Sequence, residues 1–156
     1  MKENYIITEE KALAVIKDNY DEAEEILEDE DKLEKFLFRL EEKLKIIPKV
    51  GNKLSEIPML ISLIKQYVAK EYTDVPIGTI LAIVGALLYV LNHFDLIPDS
   101  IPVAGYLDDI MVVWVCIKLA ESDIKEYNEW RKKNGYTPFD FKAEEFKIEL
   151  NATEVE

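Results

Sequence analysis

From Val75 to Phe94 the chain carries no charged residue across 20 positions, although 33% of all its residues are Asp, Glu, Lys or Arg. A helix of that length reaches about 30 Å, enough to cross the hydrocarbon core of a bilayer. The segment is apolar nearly all round rather than striped, so it must be enclosed by lipid or by the rest of the protein. Within it Gly78, Ala82, Gly85 and Ala86 fall at helical spacing and form a small-residue face that a second helix can approach closely. The expected partner is the following helix. It runs from about Tyr106 through Leu107, Ile110, Trp114, Ile117 and Leu119 into the charged stretch Glu121 to Lys133, and Asn134-Gly135 ends it.

The flanking sequence supplies amphipathic partners. Thr8 before Glu9 and Glu10 has the character of an N-cap, and Asp21 with Glu24 has capping-box spacing, so two short acidic helices open the chain. Leu33, Leu37, Leu40, Leu44 and Ile47 make one apolar helix face that ends near Pro48 and Gly51. Ile57, Ile61, Ile64 and Val68 repeat the pattern after Pro58, which a first helical turn tolerates, and the run stops around Thr73 to Pro76. With 156 residues, 49% of them apolar, and only 5 Gly and 6 Pro, the chain can bury one core without staples. The expected fold is an all-α bundle of about five or six helices around a central apolar helical hairpin.

Charge and rare residues narrow the function classes. A formal net charge of -13 argues against a phosphate-wrapping surface, so no nucleic acid partner is expected. One cysteine, Cys116, cannot form an internal disulfide, and Met1 to Tyr5 leads into no continuous apolar segment of the secretory kind. A cytoplasmic setting is expected. One His and one Cys leave little material for nucleophilic catalysis or a zinc site. Cys116 is expected as a small core residue. Trp114 and Trp130, at helical spacing, are read as core before membrane anchors.

The turn between the two central helices carries Asp95, Asp99, Asp108 and Asp109, and no Lys or Arg lies between Lys70 and Lys118. The run Leu87-Leu88-Tyr89-Val90-Leu91, then Asp95-Leu96-Ile97-Pro98-Asp99, then Ile101-Pro102-Val103 and Gly105-Tyr106-Leu107-Asp108-Asp109, resembles the YkvA-like family, a domain of unknown function. The resemblance covers roughly residues 57–119. It implies a helical hairpin, often described as membrane-associated, and brings no established reaction. This chain has Asn92-His93 where that family usually has a Ser-Pro pair. The chain then divides into N-terminal acidic amphipathic helices (1–52), a YkvA-like helical domain (53–135) and an acidic C-terminal tail (136–156).

Two readings of the four aspartates stand side by side. Hard carboxylate oxygens brought together at Asp95, Asp99, Asp108 and Asp109 would suit Mg²⁺ or Ca²⁺, with His93 as a further ligand or proton carrier. Alternatively Asp99 or Ser100 caps a helical turn while Asp108 and Asp109 sit in the first turn of the last helix, where the dipole favours negative charge by about 0.3 to 1 kcal/mol each. The capping reading is preferred.

A complete two-span hairpin is strained, because the return helix has only eight uncharged residues between Asp109 and Lys118. Reaching further back would bury charged carboxylates at about 2.5 to 3.5 kcal/mol apiece. Were it inserted, the flanking Lys and Arg would place both termini in the cytoplasm. Three classes follow. The favoured one is a non-enzymatic interaction or scaffold protein with an unknown protein partner, soluble or peripheral to a membrane. The alternatives are a small integral membrane protein and a cation-dependent enzyme or sensor.

Overall fold

The structure, a computed structural model, describes residues 8–46, 56–96, 107–137 and 139, with side chains over 8–45, 56–92, 111–137 and 139. It contains α1 (Glu9–Asp18), α2 (Tyr20–Glu28), α3 (Glu30–Ile46), α4 (Ile57–Val68), α5 (Ile77–Leu96), α6 (Leu107–Leu119) and α7 (Glu121–Lys133), and no strand among the described residues. The fold is all-α, as expected, and the described residues form seven helices where about five or six were expected. The single long helix expected after the turn breaks at Ala120, whose φ of -101° and ψ of 11° leave the helical region. Its apolar half, α6, is buried from Met111 to Ile117, whereas α7 buries only Ile124 and Tyr127. The break lets the two halves meet different neighbours.

Local chemistry explains most boundaries. Thr8 Oγ1 accepts the Lys11 N–H at 3.2 Å, the N-cap bond anticipated for α1. The capping box expected at Asp21 and Glu24 does not form the start of α2. That helix begins at Tyr20, with Asn19 at the junction, and the Asn19 side chain turns back to donate to the Val15 carbonyl at 2.8 Å. Asp21 and Glu22 sit in its first turn, where the dipole still favours them. Asp29 Oδ1 accepts from the N–H groups of Asp31 (3.0 Å) and Lys32 (3.3 Å), a cap for α3. Pro58 occupies the first turn of α4. Lys70 ends that helix in the left-handed region at φ 63°, and Gly135, at φ 83°, follows α7.

The apolar helix α5 lies at the centre, in contact with α1, α2, α3, α4 and α6, while α6 also packs on α1. Ile80, Ile83, Val84, Ala86, Leu87 and Val90 of α5 are fully buried. They join one apolar cluster that includes Ile16 of α1, Ala23 of α2, Leu40 of α3, Leu60 and Ile64 of α4 and Tyr127 of α7. Each buried Val, Leu or Ile contributes about 1.5 to 3 kcal/mol of transfer free energy, so the wrapping of α5 is the main favourable term in this fold.

The small-residue face is shared between two neighbours rather than given to the next helix alone. A Cβ on Gly85 would stand 2.8 Å from the Ile16 carbonyl oxygen, so the closest approach at Gly85 is by the end of α1. Ala82 faces α6, where the Cys116 thiol lies 4.0 Å from the Ala82 carbonyl oxygen. Gly78 has open space above it.

Among the described residues no helix is long and apolar enough to cross a membrane.

Candidate functional site

The aspartate motif falls at the distal end of the α5–α6 pair. Asp95 is on α5, and Asp108 and Asp109 are on α6. The side chains of all three, the whole of Asp99 and the side chain of His93 lie outside the described residues. Among the described residues no group of three or more His, Cys, Asp or Glu is placed to hold a metal ion. Cys116, on the inner face of α6, is completely buried, and burial pushes its thiol up to about 12. It is a thiol at neutral pH, hence packing material rather than a nucleophile.

Next to the same end of α5 lies a groove of about 370 Å³ between α2, α3 and α5. Ile26, Phe36, Leu88, Leu91 and Asn92 are among its lining residues, the four apolar side chains almost wholly buried. Lys32, Lys35 and Arg39 form one wall; their spacing of three and four places them on one flank of α3. Glu22 and Glu25 face them from α2. Lys32 and Glu25 are paired across the groove at 2.5 Å, and this hydrogen-bonded carboxylate holds the Lys32 ammonium above its usual range. The periodicity of α3 could have signalled the basic flank. The groove itself was invisible in the sequence because three helices build it.

A second polar cluster joins α4 to α7. The Ser62 and Tyr127 hydroxyls are hydrogen-bonded at 2.5 Å, and Arg131 donates from one terminal nitrogen to Ser62 Oγ (3.2 Å) and the Tyr127 hydroxyl (3.3 Å). Its Nε donates to the Thr137 carbonyl at 2.9 Å, and the guanidinium lies 4.6 Å from the Phe139 ring centre. Neither a phenol nor a guanidinium is a base at neutral pH, so this arrangement fixes the Ser62 hydroxyl without activating it. Trp130 packs on Tyr72, Tyr127 and Tyr136 at ring-centre distances of 5.1 to 5.9 Å. Trp130 is therefore a packing residue at the edge of the core, and Trp114 is buried. Burial, with the charges of Glu126, Asp74 and Asp123 adding to it, pushes the Tyr72 phenol up to about 12. Thr79, in the first turn of α5, donates to Asp123 Oδ2 at 2.7 Å. That bond brings a carboxylate from α7 to the positive end of the α5 dipole.

A family described as "Protein of unknown function (DUF1232)" matches residues 79–114, which run from the first turn of α5 to Trp114 in α6. The "Uncharacterized membrane protein YkvA" of Bacillus subtilis (strain 168) is similar to the chain, with 26% identity over 78 residues. The similarity covers 50% of this chain and 74% of the relative. No solved structure matches significantly. The helix pair that the other helices enclose is thus the part shared with relatives, and the chain carries a YkvA-like domain of unknown function.

Proposed function

We propose that the protein is a non-enzymatic interaction or scaffold protein, free in water or peripheral to a membrane surface. The observation that carries this reading is the enclosure of α5. Its apolar side chains are buried against five neighbouring helices, including the amphipathic α1 and α2 outside the family match. A helix whose apolar surface is already covered by protein has little left to exchange for contact with acyl chains. The polar groups at Ser62, Tyr127 and Arg131 hold one another, which suits a rigid module more than a reaction centre.

The relative's name, a membrane protein, supports the peripheral form of this reading and equally supports an integral one. Fractionation without detergent, followed by a carbonate wash of the membrane pellet, separates them. Release into the supernatant before or during the wash is expected. Retention in the pellet after carbonate would overturn the proposal and assign α5 to the bilayer.

A further inference from the structure

We propose that Asn134 is a site of spontaneous deamidation, at a rate governed by the strap that Arg131 holds against the end of α7. Of the asparagines in the chain, Asn134 alone is followed by Gly. Both residues are exposed, and nothing lies within 4 Å of the place a Cβ on Gly135 would take, so the Gly135 nitrogen is unshielded on that side. In the reaction this backbone nitrogen gives up its proton and attacks Cγ of Asn134. The N–Cγ bond forms, the Cγ–Nδ2 bond breaks, and ammonia leaves with the displaced proton. Water then opens the five-membered imide at one carbonyl or the other and yields aspartate or isoaspartate. Asparagine and water become a carboxylic acid and ammonia, with no oxidant or reductant.

The fold controls the first step. At Asn134 φ is -102° and ψ is 15°, which turns the Gly135 nitrogen away from the Asn134 side chain. The side-chain nitrogen is engaged as well, donating to the Trp130 carbonyl at 2.8 Å. Attack requires rotation about ψ, and the chain beyond Gly135 resists it. The Tyr136 N–H donates to the Arg131 carbonyl at 2.8 Å, Arg131 Nε donates to the Thr137 carbonyl at 2.9 Å, and the Phe139 N–H donates to Asn128 Oδ1 at 3.0 Å. The Gly135 N–H itself has a long bond, 3.4 Å to the Lys132 carbonyl. A helix end with exposed hydrogen bonds opens more often than the core, so the reaction runs through the opened strap. Its products then keep the strap from closing. A carboxylate at position 134 stands at the negative end of the α7 dipole and lacks the donor for the Trp130 carbonyl. Isoaspartate also lengthens the backbone by one methylene, which shifts Tyr136 and Thr137 away from Arg131.

The test is incubation of the full chain in mildly alkaline buffer at physiological temperature, followed over time by peptide mapping with mass spectrometry and by isoaspartyl methyltransferase labelling. Conversion is expected at Asn134 ahead of every other asparagine, faster as pH rises and absent in Asn134→Gln. Arg131→Ala, which removes the guanidinium bonds of the strap, should speed it by about fivefold, the factor equivalent to one net hydrogen bond. The same chain unfolded in urea should convert faster than the native one, and amide exchange at Phe139 should quicken in the converted protein. Conversion at Asn134 no faster than at the exposed Asn92 would overturn the proposal. So would an unchanged rate in a folded Arg131→Ala variant, or equal rates for the native and the unfolded chain.

Discussion

Tyr72 is 5% exposed, and its hydroxyl oxygen is buried with no hydrogen-bond partner among the described residues. An unpaired buried hydroxyl costs about 1 to 3 kcal/mol, whereas an apolar replacement of the same shape removes that penalty. Tyr72→Phe should therefore raise stability by about 1 kcal/mol in urea denaturation; a loss of that size would reveal a partner. Tyr127→Phe is the contrast. It strips a bonded hydroxyl from Ser62 and Arg131 and should lower stability by about 1 to 2 kcal/mol. The raised phenol of Tyr72 also has a pH consequence. Its value moves from 10.0 to about 12 on folding, so the unfolded chain ionises first, and stability falls as pH rises through that window. The Cys116 thiol, moved from 9.0 to about 12, starts the same fall lower down. Melting temperature should thus decline above about pH 9, and Tyr72→Phe should make the decline shallower above about pH 10.

At the scale of elements, the meeting of α1 with α5 is the most tightly specified contact. The Ile16 carbonyl that crowds Gly85 is backbone, which cannot rotate aside as a side chain would. Gly85→Ala should cost about 1 to 3 kcal/mol through forced separation of the helices. Gly78→Ala, in open space on the same helix, should leave stability unchanged or slightly raised. Chemical denaturation of the two variants compares them directly, and equal effects would show that α1 does not hold its position on α5. Helix ends contribute smaller amounts. Removing the Thr8 hydroxyl with Thr8→Ala should reduce stability by about 1 kcal/mol.

For the whole molecule, one consequence outweighs the others: α5 is covered jointly by helices from both sides of it in sequence. Deleting residues 1–28 would uncover the sides of α5 and α6 that face Ala12, Ile16, Ala23 and Ile26. A truncated chain should therefore aggregate or lose its cooperative unfolding transition, as judged by light scattering and circular dichroism. A monomeric, cooperatively folded truncation would mean that α1 and α2 decorate the domain rather than complete it.

The sequence by itself determined the all-α class, the central position of α5 and several helix ends, because apolar periodicity, Thr8, Pro58 and Gly135 act over a few residues of chain. Its account of α2 failed locally, since Asp21 and Glu24 satisfy a capping pattern while Asn19 had already ended α1 and opened the next helix. The break at Ala120 was also hidden, because the α6 and α7 sequences each suit a helix and no Gly or Pro separates them. Only the tertiary structure decided which neighbour takes each part of the small-residue face, that Ser62, Tyr127 and Arg131 meet from two helices, and that the basic flank of α3 lies beside Leu88 and Leu91 of α5. Those outcomes depend on side chains far apart in sequence, whose proximity follows from how seven helices share one core rather than from any local pattern.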